Sequence, residues 1–232
     1  MVRPAEIAPV VPPADPRQGA RDGFERPLHE PRLLNAERLK QAIRERASAL
    51  GFDAIGFAGA DGLPEAAPRL TEWLAAGYHA SMDWMADRPG RRATPGGLWP
   101  EVRSIVMLGV NYGSGDDPLE TLARPEAGTL SLYARRRDYH EIIKGRLKEL
   151  AGLIAARAGC DVKVFVDTAP VQEKSLAVAA GIGWQGKNTV LTSRHHGSWL
   201  FLGAIYTTID LPPDVREPDH CGSCRKCLDI CP

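Results

Sequence analysis

The chain has no second cysteine run, no long apolar stretch and no excess of charge of either sign, and each absence removes a class of protein. Of its five cysteines, four fall between residues 221 and 231 and the fifth is Cys160. The dispersed cysteine framework of a small disulfide-stapled domain is therefore excluded. No secretory signal is read at its start, so reduced thiols and the cytoplasm are the expected setting. No segment approaches the roughly 18 uninterrupted apolar residues of a membrane span, and no membrane partner is expected. Lys plus Arg equals Asp plus Glu at 29 each. No global field draws the protein to nucleic acid, and any RNA contact has to come from a local patch. What is present suffices for a folded body: 232 residues, 44% of them hydrophobic, can bury a core in one large domain or two small ones. No internal repeat is visible.

The four clustered cysteines form Cys221-Gly222-Ser223-Cys224-Arg225-Lys226-Cys227-Leu228-Asp229-Ile230-Cys231-Pro232. This C-x2-C-x2-C-x3-C-P run is a 4Fe-4S loop of bacterial ferredoxin type, in which three thiolates hold one cube and the fourth reaches a second. A zinc site would instead combine two separated ligand pairs, often with His. With no second run present, the chain reads as the front part of a longer two-cluster protein, one that on its own should not hold two complete clusters. Cys160 reads as a small buried residue at a helix end.

Residues 1–34 hold seven of the nineteen prolines and no apolar period, which predicts a disordered leader. Asn35 is a suitable N-cap for a helix over 36–50, closed by Gly51. Further patterns predict a strand at 53–57, helices at 64–76, 138–158 and 171–180, and buried strands at 104–110 and 162–166. A hairpin-like pair is expected at 189–192 and 198–207. Helices alternating with strands indicate an α/β (α+β layered) domain over 35–215, with residues 216–232 beginning a ferredoxin-like module.

Three segments carry chemistry. Val166-Asp167-Thr168-Ala169-Pro170 ends an apolar strand in a carboxylate, at a position where layered folds commonly place ligands. Asp167 either caps the next helix or donates a proton, a role that apolar surroundings would favour. Gly181-Ile182-Gly183-Trp184-Gln185-Gly186-Lys187-Asn188-Thr189 nearly matches G-x4-G-K-[ST], but Asn188 replaces the magnesium-binding hydroxyl and a helix precedes the turn. A glycine-rich turn approaching some other polar or anionic cofactor fits better. Ser131 to His140 group Arg135, Arg136 and Arg137 with Tyr133, Tyr139 and His140, either a solvated turn or a cofactor or RNA contact. His195 and His196 read as a loop tip.

In this order, and together with Met82-Asp83-Trp84-Met85, Arg92-Ala93-Thr94-Pro95 and Gly197-Ser198, these segments resemble the epoxyqueuosine reductases from about residue 36 onward. The resemblance implies a nitroreductase-like, cobalamin-binding domain followed by the 4Fe-4S module. It implies reduction of epoxyqueuosine to queuosine in the tRNA anticodon by a monomer served by an electron donor. It makes Asp167 the proton donor, Arg92, Ser131, Asn188, Leu191 and Leu202 cobalamin neighbours, and Cys221, Cys224, Cys227 and Cys231 cluster ligands. Removing an epoxide oxygen takes two electrons and two protons, and an alkoxide leaves poorly unless protonated. Family members commonly carry Gly where Arg136 stands, which bears on the turn's backbone. Reductive dehalogenases share cobalamin and clusters but usually carry a twin-arginine leader and a tyrosine acid, neither of which is found. A simple ferredoxin-like carrier would need neither Asp167 nor the glycine-rich turn.

Overall fold

A computed structural model of the protein describes residues 30–115, 117 and 120–231. In chain order the elements are α1 (Glu30–Ala49), β1 (Ala54–Gly59), α2 (Ala66–Ala75), α3 (Pro89–Ala93), α4 (Pro95–Leu98), β2 (Ser104–Asn111), α5 (Tyr139–Ala158), β3 (Val162–Phe165), α6 (Glu173–Ala179), β4 (Trp184–Gln185), β5 (Leu191–Thr192), β6 (Leu200–Thr207) and α7 (Lys226–Asp229). Four strands form one sheet in the order β1-β2-β6-β3. Every pairing in it is antiparallel.

The sheet is covered on both faces, which gives the layered α/β architecture. Successive residues of β2 point to opposite sides. Val106 and Leu108 join Phe57 and Ile205 under α1 and α5, whereas Ile105 and Met107 join Ala204 and Tyr206 against α6. Helix α5 illustrates how the sequence builds its layer. The Asp138 side chain caps it by accepting the His140 N–H at 2.9 Å, and Gly159 ends it at φ +60°. Between those caps Ile143, Leu147, Leu150 and Ile154 recur at helical spacing and are fully buried. Each such side chain contributes about 1.5–3 kcal/mol by leaving water. Gly203 lets the helix sit this close, because a Cβ there would lie 2.8 Å from a Leu147 methyl.

Two expectations about this frame need correction. Helix α1 begins at Glu30, so residues 30–34 of the expected leader are helical and Asn35 lies inside the helix rather than capping it. Pro31 does not prevent this, since a first-turn N–H has no intrahelical acceptor to lose. Residues 1–29 of the leader lie outside the described residues. The expected hairpin is also absent: β5 pairs with β4, and β6 pairs with β2 and β3. Only a bridge between Ser193 and Gly197 closes the turn that carries His195 and His196, which is a loop tip as expected.

The segment after β6 is locked to the body by one carboxylate. Asp214 lies 2.9 Å from the Lys40 ammonium and 2.6 Å from the Arg44 guanidinium, and it accepts the Phe57 N–H at 3.1 Å. Lys40 is only 5% exposed, and its ammonium also donates to the Pro212 carbonyl at 2.9 Å. Nearby, Gly181 at φ +75° leaves room for the Val215 carbonyl, which a Cβ would meet at 2.3 Å. The approach to the cysteine run is thereby fixed.

Candidate active site

Strand β3 ends at Phe165, Val166 follows it, and Asp167 then adopts φ +55°. Such a backbone is uncommon without glycine and costs on the order of 1–3 kcal/mol. The Thr168 N–H bonds back to the Val166 carbonyl at 2.5 Å, closing a three-residue turn with Asp167 at its apex. The turn throws the Asp167 side chain outward. Its carboxylate is 58% exposed, so the expected apolar enclosure is absent. It does not cap the next helix either, because Gln172 occupies the N-cap of α6.

Asp167 Oδ2 instead receives the Tyr139 hydroxyl at 2.8 Å and faces His140 Nε2 at 3.2 Å. The other His140 nitrogen meets Asp138 at 2.8 Å, forming a carboxylate–imidazole–carboxylate chain. That hydrogen bond to Asp138 pushes the His140 pKa up, burial opposes it, and the bond to Asp167 adds a smaller rise. Burial, followed by the bond to Asp167, raises the Tyr139 phenol well above its ordinary value, so it stays a donor. The Tyr139 ring stacks on Phe201 at 3.9 Å, and Phe201 stacks on Tyr112 at 4.3 Å. These contacts hold the phenol in place.

A cavity of about 430 Å³ opens beside this group, lined by Tyr139, Asp167, Gln172, Glu173, Gln185, Phe201 and Leu202. Glu173 is partly buried there, and desolvation is the main cause that drives its pKa from 4.5 to about 7. Its Oε1 accepts the Asp167 N–H at 2.7 Å. Sequence patterns missed Glu173, Gln172 and Gln185, since nothing separates them from ordinary helix-start and turn residues. A second cavity, of about 640 Å³, shares Tyr139 and Phe201 and is lined by Tyr112, Tyr133, Arg135, Arg136 and Arg137. The basic cluster is thus divided. Tyr139 and His140 serve Asp167, while the exposed arginines face the other cavity. Arg136 is not among the described residues with positive φ, so the turn accommodates it without glycine.

The remaining expected site residues scatter around this centre. Arg92 lies behind the cavity: Gln172 donates to its carbonyl at 3.0 Å, its guanidinium covers the Trp84 ring at 5.1 Å, and its buried Nε has no hydrogen-bond partner among the described residues. The Trp184 Nε1 in the glycine-rich turn is likewise buried without a partner. Leu202 lines the cavity. Leu191 is buried in the core against α6 and offers only its backbone through β5. Asn188 is exposed, with its side-chain oxygen committed to the Val190 N–H in its own turn. Ser131 is exposed at the start of the 3-10 turn Leu132–Ala134 and is not among the residues lining the cavity beside Asp167.

Lys187 reaches from the glycine-rich turn to the cysteine run, donating to the Gly222 and Cys224 carbonyls at 2.8 and 2.9 Å. Arg194 and His220 both engage Glu217, which fixes the preceding residues. All five thiols are free, and Cys160 is partly buried with its sulfur 3.2 Å from the Thr207 hydroxyl. Among the described residues no three His, Cys, Asp or Glu side chains converge as a single ion requires. A four-iron cube has separate metal vertices, so its thiolates need not converge on one point. No described helix is long and apolar enough to cross a membrane.

The family described as "Epoxyqueuosine reductase QueG, DUF1730" matches residues 92–168. An epoxyqueuosine reductase of Gloeobacter violaceus is 48% identical over 193 residues, covering 82% of this chain and 58% of the relative, and that of Escherichia coli is 38% identical over 207 residues, covering 88% and 54%. A crystal structure of an epoxyqueuosine reductase with an epoxyqueuosine-modified tRNA-Tyr stem loop superposes with a TM-score of 0.71 at 31% identity, over 84% of this chain and 52% of that one. The Bacillus subtilis enzyme, described with its aspartate catalytic loop swung out of the active site, gives 0.68 at 30% identity over 85% and 52%. The chain spans little more than half the length of the relatives it matches. On this agreement in sequence and in fold, the chain belongs to the epoxyqueuosine reductase family.

Proposed function

We propose that this chain forms the catalytic part of an enzyme that reduces epoxyqueuosine in tRNA to queuosine, with Asp167 as the proton donor. The observation that carries the reading is the Asp167 carboxylate at the edge of the 430 Å³ cavity, where Oδ2 is held by Tyr139 and His140. Oδ1 is left to carry the transferable proton. When that proton goes to the departing epoxide oxygen, the two donors on Oδ2 stabilise the carboxylate that remains. His140, 34% exposed in its side chain, can return a proton from solvent. The balance is an epoxide plus two electrons and two protons giving an alkene and water. The relative solved with a modified tRNA stem loop and the relative with an aspartate catalytic loop support this assignment.

The residues present fit a cobalamin. Buried Arg92 Nε and Trp184 Nε1 lack partners, and a cofactor rich in amide and phosphate oxygens would satisfy them. Arg92, Trp184, Ser131, Asn188 and the strands at Leu191 and Leu202 are its proposed neighbours within a nitroreductase-like domain. Cys221, Cys224, Cys227 and Cys231 have the donor chemistry of 4Fe-4S ligands in a ferredoxin-like module, with Lys187 tying that loop to the body. Cobalamin and the clusters would supply the two electrons, ultimately from a separate electron donor. The protein is read as a cytoplasmic monomer acting on tRNA.

The test is Asp167→Asn. An amide keeps size and shape but cannot deliver the proton, so turnover of an epoxyqueuosine-bearing stem loop should fall by about 10² to 10⁴ while cobalamin binding is retained. Wild-type turnover in that variant would remove Asp167 from the role.

A further inference from the structure

Glu173 is a partly buried carboxyl that the proton-transfer reading does not use. It sits at the first position of α6, yet its side chain turns back and takes the backbone N–H of Asp167 at 2.7 Å. That N–H belongs to the one residue of the turn with positive φ, a conformation a β-carbon disfavours and that persists only when its surroundings hold it. Among the described residues, the other backbone bond closing this apex is the short-range one from Thr168 to Val166. We infer that Glu173 is the positioning residue of the proton donor: by gripping the Asp167 N–H it holds the 166–170 turn so that the Asp167 carboxylate stays against Tyr139 and His140. The inference rests on Asp167 as the proton donor for its catalytic consequence, but the grip itself stands on geometry.

A charged acceptor makes a stronger hydrogen bond than a neutral one, so the grip should weaken as Glu173 takes up a proton. The groups that face it are Asp167 on the turn, His140 and Tyr139 at the start of α5, and Tyr206 on β6. Asp167 favours the proton on Glu173, and His140 opposes it. The next residue along the helix, Lys174, spends its ammonium on the Thr189 carbonyl at 3.1 Å.

The experiment is hydrogen exchange at the Asp167 amide of the cofactor-loaded enzyme, corrected for intrinsic rate, in wild type, Glu173→Ala and Glu173→Gln, alongside steady-state kinetics. Wild-type protection should drop as pH falls through about 7. Glu173→Ala should lose protection at least about tenfold and show a kcat lower by about 10² with KM little changed, since displacing a reacting group by about an ångström costs that much. Glu173→Gln, whose amide oxygen can still accept, should keep much of both, without the pH dependence. Undiminished Asp167 protection in a folded Glu173→Ala enzyme would overturn the inference. So would equal pH dependence of protection in wild type and Glu173→Gln. If Asp167→Asn is fully active while Glu173→Ala loses protection, the grip stands and the proton-donor assignment fails.

Discussion

Replacing Glu173 by Gln should stabilise the fold above pH 7 and change little near pH 4.5. Burial is the main cause that displaces the Glu173 pKa from 4.5 to about 7 in the folded protein. Since the folded value is raised, the folded state binds the extra proton. Stability is therefore full below about 4.5, falls as pH rises through about 7, and is flat beyond. That displacement corresponds to about 3 kcal/mol at pH 8. That displacement is already net of the bond from the Asp167 N–H, which favours the charged form, so glutamine recovers the whole of it. A gain of about 3 kcal/mol is expected above pH 7, equivalent to a Tm increase of about 6–12 °C in a chain of this size. Raised His140 also makes stability fall with rising pH, but it does so in both proteins, so their difference isolates Glu173. Urea unfolding of the two proteins at intervals between pH 5 and 8.5 provides the measurement. Parallel stability curves would refute the burial argument, and with it the account of Glu173 as a carboxyl held against its preference.

Asp214→Ala should destabilise the protein by about 3 kcal/mol, because it strands the buried Lys40 ammonium. Combining it with Lys40→Met should recover part of that loss, and additive losses in the double variant would contradict the pairing. Arg136→Ala with Arg137→Ala should lower the salt slope of tRNA binding by about one unit for each phosphate contact removed, without changing the preferred anticodon. Arg135 already donates to the Leu130 carbonyl at 2.9 Å and should matter less. If the paired variant loses cobalamin instead, with an unaltered slope, these arginines serve the cofactor side.

Elements whose determinants are local were legible in the sequence. Helix α5 carries its cap, its stripe and its terminating glycine within its own residues, and β2 declares itself as an apolar run bounded by polar residues. At α1 the favourable cap at Asn35 suggests a start, yet the helix spans Glu30–Ala49 and accepts Pro31 where no N–H is needed. The local sequence of β6 predicts a strand but points to the wrong partner. Proximity along the chain favoured residues 189–192, yet Ala204, Ile205 and Tyr206 are buried on alternating faces and need a central place in a covered sheet. A two-residue strand cannot provide that, whereas β2 offers eight paired residues from about a hundred positions away. Such a choice depends on both faces being filled together.

The site divides along the same physical line. Asp167 stands out because a carboxylate ending an apolar strand needs a reason to be there, and its geometry shows that the reason is not helix capping. The sequence suggested apolar walls around it, but the turn at φ +55° carries the side chain outward onto Tyr139 and His140. The desolvated carboxyl is Glu173, six residues on. An acid in the first turn of a helix is favoured by the helix dipole anywhere, so its presence there signals nothing. Only the backbone conformation of Asp167 brings that acid within 2.7 Å of the Asp167 N–H and gives it a second task. Residues that act through a neighbour's main chain leave no pattern of their own, because the group they recognise is the same in every residue but proline.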